Sequence, residues 1–303
     1  MHTSVRVYVA LGVTILFWGL SFIATKAALG TIDPFAIIFL RFIIAAAVFA
    51  VILARNGFPR FSRSDHLKMA LLAVFEPGLY FFCETFGLRL TSASVASLII
   101  AAVPLAVALL ARVLLAETLS PKNILSIALS IAGISILVLG DPTFGVGPDA
   151  SLFGDLLIIG AVITAAFYMI IARDLGRSRS ALDITAMQVF YGALIFAPFF
   201  FSTAGNTHWN KVPLVALLAV LFLGLFATVV SYLSFNFALT RLPASRAAVF
   251  LNGVPVVTSV AGWLFLGERL SPLQIAGAIL VLVAVTFNST APGSRRINHS
   301  VSM

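Results

Sequence analysis

Residues 91–121 read TSASVASLIIAAVPLAVALLARVLLAETLSP and residues 242–272 read LPASRAAVFLNGVPVVTSVAGWLFLGERLSP; a shift of 151 residues lays one over the other without a gap. Ala93, Ser94, Ala96, Val103, Pro104, Leu115, Glu117, Leu119, Ser120 and Pro121 find identical partners in the second copy. Each stretch is one long apolar run with a proline near its middle, closed by the same E-x-L-S-P turn. Chance likeness among apolar segments is the competing reading, and the in-register prolines and turns weigh against it.

Working outward from this pair, apolar stretches of about 20 residues, the length a membrane-crossing helix needs, recur along the whole chain. They cover 7–28, 34–54, 68–88, 94–115, 121–140, 152–172, 183–203, 213–239, 245–266 and 272–288. Runs such as ILSIALSIAGISILVLG (124–140) lack the every-other-residue alternation of a barrel strand. Only helices or closed barrels satisfy their backbone groups in hydrocarbon, so the spans are helices. Each half, 7–140 and 152–288, holds an odd number of spans, and the second half therefore enters the membrane from the opposite side. The expectation is an all-α membrane protein of ten transmembrane helices in two inverted five-helix repeats, a plan with its substrate site near the midplane.

Composition points the same way. Of 303 residues, 61% are hydrophobic and 10% charged, against roughly 25% charged in soluble domains. The formal charge of +8 could suggest a nucleic-acid partner, but the basic residues sit in short clusters between apolar runs and read as topology. Arg6; Arg55, Arg60, Arg63 and Lys68; Arg112 and Lys122; Arg173, Arg177 and Arg179; Arg241 and Arg246; and Arg295 and Arg296 fall on one side. The other side carries only Lys26, Arg89, Lys211 and Arg269, and the 141–151 connection is acidic. Both termini, with the 289–303 tail, are expected in the cytoplasm. The first apolar run is too long for a signal h-region. The single Cys83 excludes an internal disulfide, and His2, His66, His208 and His299 fall in termini or loops, so no cofactor or metal is expected.

Further elements carry a family likeness: Trp18-Gly19 with Lys26, Arg41, Thr91-Ser92-Ala93, and Pro104 with Glu117-x-x-Ser120-Pro121, repeated as Pro255 with Glu268-x-x-Ser271-Pro272. In these the chain resembles the drug/metabolite transporter superfamily, in its ten-span EamA-type branch. The resemblance covers almost the whole chain. It implies export or exchange of metabolites through a central cavity lined by spans 1, 3, 4, 6, 8 and 9, in a bacterial inner membrane, with no enzymatic activity. Two departures stand out: Thr164 occupies the place of a tryptophan often seen early in the sixth span, and span 3 carries Glu76 and Glu84.

Charges inside a membrane are expensive and functional by default. Glu84 and Arg41 lie at matching depth, roughly 8 and 10 Å below one surface at 1.5 Å per residue, and are expected to pair or share a polar network. Pinning two spans together is the structural alternative. Glu76, Tyr80, Cys83, Glu84 and Gly87 follow helical spacing as one cavity-facing stripe, and Pro77 invites a kink beside Glu76. Glu76 is the candidate for proton coupling. Trp18, Phe22, Tyr80 and Tyr168 are candidates for an aromatic wall; Thr228, Ser231 and Ser234 form a polar stripe on the eighth span; and Asn236 and Asn252, with Gln188, are candidates for a polar constriction opposite Arg41 and Glu84. Lys26 either snorkels or meets a substrate carboxylate. Glu117 and Glu268 read as helix caps. The expected function is secondary transport of small amphipathic or amino-acid-like metabolites by alternating access. A passive facilitator and a membrane-embedded enzyme are the rivals. Partners are a small-molecule substrate and membrane lipid, with no nucleic acid; a homodimer stays open.

Overall fold

The computed structural model describes residues 2–115, 121–140 and 151–289, which are helical with short connections and contain no strand. Eight helical stretches are long and apolar enough to cross a membrane: Val5–Leu29, Pro34–Asn56, Arg63–Leu90, Ala93–Leu110, Ser151–Leu175, Ala181–Ser202, Leu214–Leu239 and Ala247–Leu266. Their mean hydropathy runs from 1.3 for Arg63–Leu90 to 2.9 for Pro34–Asn56, and the polar content behind the low value matters below. Two further expected segments form shorter apolar helices, Ile124–Leu139 and Pro272–Ala284. Glu117, the acidic connection 141–150 and the basic tail 290–303 lie outside the described residues.

Two of the continuous spans are α1 (His2–Leu29) and α2 (Pro34–Asn56). The third is interrupted: α3 (Arg63–Ala73) and α4 (Tyr80–Leu90) are joined by Val74–Leu79, in which Glu76 leaves the helical region at φ −146°, ψ 112°. Pro77 has no N–H to give and its ring crowds the preceding turn, so the break falls where the sequence places that proline. The fourth is divided at Ala101–Ala102 into α5 (Ala93–Ile100) and α6 (Val103–Leu115), directly before Pro104. After α7 (Pro121–Leu139), α8 (Ser151–Leu175) and α9 (Ala181–Ser202) run unbroken. Then α10 (Leu214–Phe222) and α11 (Ser231–Leu239) flank a π-helical stretch, Leu223–Val230. α12 (Ala244–Phe250) and α13 (Val254–Ala261) flank a tight turn over Leu251–Gly253, again before the proline, Pro255. The run ends at Gly267, whose φ of 66° is a left-handed conformation that suits a residue without Cβ. α14 (Pro272–Ser289) packs along α7, where a Cβ on Gly277 would stand 2.7 Å from the Gly133 carbonyl oxygen.

α1 lies against α10, α11 and α13; α2 against α9; α4 along α8; and α5 against α13 and α8. The outer surface is apolar: Val113 is 75% and Phe201 70% exposed, as lipid-facing positions should be.

Long-range polar contacts fasten helix ends. Lys26 Nζ donates to the carbonyls of Leu88 (2.7 Å) and Thr91 (2.6 Å), the acceptors left over at the end of α4. Lys26 thus closes a helix end rather than snorkelling. The Glu268 carboxylate accepts from the amides of Ala93 (2.8 Å) and Ser94 (2.9 Å) and from Ser94 Oγ (2.7 Å), capping α5. α3 and α9 begin with the same capping box, Ser62 with Asp65 and Ser180 with Asp183.

Candidate functional site

The third and eighth apolar segments meet where the Tyr232 hydroxyl donates to Glu76, and beside this contact lies a cavity with about 550 Å³ of non-atom space, its open side included. Its wall includes Trp18 and Phe22 from α1, Arg41 from α2, Glu76, Tyr80 and Glu84 from the third segment, Tyr168 from α8 and Tyr232 from α11. Arg41, Glu76 and Glu84 are 2%, 3% and 2% exposed. Three ionisable side chains so far from water are costly unless they serve a polar pathway.

Each is held in its own way. Arg41 Nε donates to Thr228 Oγ1 at 3.0 Å, and the guanidinium lies over the Phe81 ring, 4.1 Å from its centroid. Glu76, released from helical geometry, accepts from the Tyr232 hydroxyl. Its backbone carbonyl accepts from Gln188 Nε2 at 3.2 Å. Thr85 Oγ1 donates to Glu84 at 3.4 Å. Among the described residues, neither carboxylate lies within the 4.0 Å of an ion pair from any basic nitrogen.

A second polar layer adjoins the cavity. Tyr168 donates its hydroxyl to Asn236 Oδ1 (2.8 Å), and Asn236 Nδ2 donates to Thr185 Oγ1 (2.9 Å) and Gln188 Oε1 (3.2 Å). Gln188 and Asn236 join this layer to Glu76. The aromatic wall is packed on itself: the Trp18 ring lies 5.3 Å from Tyr232 and 4.9 Å from Phe235, and its Nε1 donates to the Ala227 carbonyl at 3.1 Å.

The structure differs from the sequence reading at named positions. Of the two arrangements expected for Arg41 and Glu84, the ion pair is absent among the described residues: both stand in the cavity wall, and Thr228 and Phe81 hold the guanidinium. The expected stripe divides within α4: Tyr80 and Glu84, with Glu76 before them, line the cavity, whereas Cys83 packs on Gly160 and Gly87 on Ile158, both in α8. Ser231 turns to its own helix, donating to the Phe226 carbonyl at 3.0 Å. Asn236 stands behind Tyr168 rather than in the wall. Asn252 sits in the turn before α13, its Oδ1 unpartnered among the described residues, and its neighbours Leu251 and Val254 form the wall instead. Tyr232 and Phe81 were not among the candidates. Thr228 and Tyr232 at i, i+4 offered the signal, a phenol one turn from a hydroxyl already on the polar stripe.

A family model described as the EamA-like transporter family matches residues 6–139 and again 152–290. The chain belongs to the EamA-like transporter family. It is 29% identical over 278 residues to an "Uncharacterized transporter" of Archaeoglobus fulgidus, covering 92% of this chain and 96% of that one. It is 29% identical over 295 residues to "Uncharacterized transporter YcxC" of Bacillus subtilis, covering 94% and 93%. A third relative, the "Probable amino-acid metabolite efflux pump" of Escherichia coli, is 27% identical over 283 residues, covering 90% of this chain and 91% of that one. One solved protein crystal structure superposes with a TM-score of 0.68 over 93% of this chain and 96% of that chain at 19% identity, a likeness of fold. The protein is accordingly a multi-pass membrane transporter acting on a small-molecule substrate.

Proposed function

We propose that this EamA transporter is a secondary carrier that moves small amphipathic or amino-acid-like metabolites outward across a bacterial inner membrane by alternating access. The reading includes ten spans in two inverted five-span halves, 7–140 and 152–288, with both termini cytoplasmic. The observation that carries it is the buried cavity, where one guanidinium and two carboxyls stand among aromatic rings. A solute bearing an amine would meet Glu76 and Glu84, an anionic group would meet Arg41, and an apolar body would lie against Trp18, Phe22, Tyr80 and Tyr168. Rings supply both contact area and attraction for cations. The name of the Escherichia coli relative agrees with a substrate of that kind.

Glu76 is the proposed proton carrier. It sits where the helix breaks, joined to the phenol of Tyr232 rather than to a cation, so it can gain or lose a proton without breaking an ion pair. The test is a metabolite-uptake screen in proteoliposomes with and without a pH gradient. Wild-type protein should accumulate its substrate in response to the gradient, and Glu76→Gln should lose that response. Uptake by Glu76→Gln at the wild-type rate, with the gradient response intact, overturns the coupling role.

A further inference from the structure

Away from the cavity, a groove on the flank of the bundle opens between α1, the start of α9 and α11, with about 1150 Å³ of non-atom space including its open side. Ala10, Leu182, Leu233 and Phe237 give it an apolar lining, and Arg179 and Arg241 stand in the same wall. None of these residues lines the central cavity.

The arginines are set in place rather than trailing in solvent. The Arg241 guanidinium lies 3.6 Å from the Phe237 ring centroid, and Nη1 donates to the Phe237 carbonyl (3.0 Å) and to Thr240 Oγ1 (2.8 Å). Arg179 pairs with Asp65, donates Nη1 to the Arg60 carbonyl at 3.0 Å and lies over the Phe61 ring. Its Nε is buried, with no hydrogen-bond partner among the described residues. Arg6 is exposed one turn before Ala10 on α1. Of the nearby carboxylates, Asp65 is engaged by Arg179 and Ser62, and Asp183 by Ser180.

We propose that this groove is a binding site for an anionic phospholipid, its phosphodiester held by Arg241 and Arg179 and one acyl chain lying along Leu233 and Phe237. Charge complementarity argues for that occupant, because guanidinium forks match phosphate oxygens. The apolar wall runs on from the charged end, as a lipid needs and a free phosphate does not. Basic pockets between membrane helices on the cytoplasmic side bind anionic head groups, and the excess of basic residues places this end of the bundle there. The lipid would bridge α1 and α9, elements of different halves of the chain.

The experiment is native mass spectrometry of the full chain in detergent, titrated with phosphatidylglycerol, with phosphatidylcholine of the same acyl chains, and with glycerol phosphate. Wild-type protein should retain phosphatidylglycerol in preference to phosphatidylcholine, and glycerol phosphate should not displace it. Arg241→Gln should weaken phosphatidylglycerol retention about fivefold and leave phosphatidylcholine unchanged. Leu233→Trp, which fills the apolar wall while keeping both arginines, should weaken retention as well. The lipid-free thermal midpoint of each variant separates lost binding from lost folding. Equal retention of the two lipids, displacement by glycerol phosphate, or undiminished phosphatidylglycerol binding in correctly folded Arg241→Gln and Leu233→Trp overturns the proposal.

Discussion

Arg63–Leu90 and Leu214–Leu239, which the 151-residue shift lays over each other, both lose regular helix near their middles, and they do so by different means. In the first, Pro77 removes a backbone donor and Glu76 departs from helical angles. In the second, the helix widens over Leu223–Val230 while its flanking residues keep helical angles, and hydroxyls take the displaced acceptors. Thr228 Oγ1 donates to the Leu223 carbonyl (2.8 Å) and Ser231 Oγ to the Phe226 carbonyl (3.0 Å), each five residues back. The first interruption therefore frees Glu76 for the cavity, and the second segment supplies neutral partners: Tyr232 of α11 for Glu76 and Thr228, in the widened stretch, for Arg41 of α2. Mid-membrane irregularity is tolerated only where its freed polar groups find partners or face a cavity, and these two segments use one remedy each.

The largest expected effect is at Arg41. A hydrogen bond to a charged group contributes roughly 1.5–3 kcal/mol, so Arg41→Leu should lower proteoliposome uptake about ten- to hundredfold. Near-normal uptake would mean that neither the guanidinium nor its contact with Thr228 serves transport. Next come the glycines that admit the two interruptions. A Cβ on Gly192 would stand 2.5 Å from Pro77 Cγ, and one on Gly224 2.7 Å from Ile44 Cγ2. Gly192→Ala and Gly224→Ala should each lower stability by roughly 1–3 kcal/mol through overpacking, read as thermal unfolding in detergent. A loss confined to Gly192→Ala would show that only the proline break is rigid. Tyr232→Phe keeps the ring and removes the donor to Glu76; a cost of about 1 kcal/mol and an altered uptake response to a pH gradient are expected. Ser231→Ala should be the mildest, about 0.6 kcal/mol with uptake retained, since this hydroxyl serves its own helix. A collapse of uptake there would return Ser231 to the substrate wall.

Much of the fold could be read along the chain. A run of about 20 apolar residues has one low-energy arrangement in lipid, and that choice is local; the helix breaks at Pro77, before Pro104 and before Pro255 follow from a missing donor at a known position. The candidate site was readable in its charges and less so in its geometry. Glu76, Glu84, Arg41, Trp18, Phe22, Tyr80 and Tyr168 were singled out by their cost or their shape. The spacing rule was too broad at Cys83 and Gly87: they share α4 with Tyr80 and Glu84 but lie on the edge of the stripe that packs on α8, so the neighbouring helix and not the period decides which of them reach the cavity. Ser231 and Asn252 were polar in the right segments, but one satisfies its own helix and the other sits in a turn beside the wall.

Lipid as the solvent, the positions of the apolar segments and membership of the EamA family follow from patterns that each stretch carries in its own residues, whatever the rest of the chain does. The pairing of Arg41 with Thr228, 187 positions away, and of Glu76 with Tyr232, 156 positions away, does not. Those contacts depend on which faces of α1, α2 and the two interrupted segments meet, and helix–helix packing in a membrane turns on small steric fits such as Gly192 against Pro77 and Gly224 against Ile44.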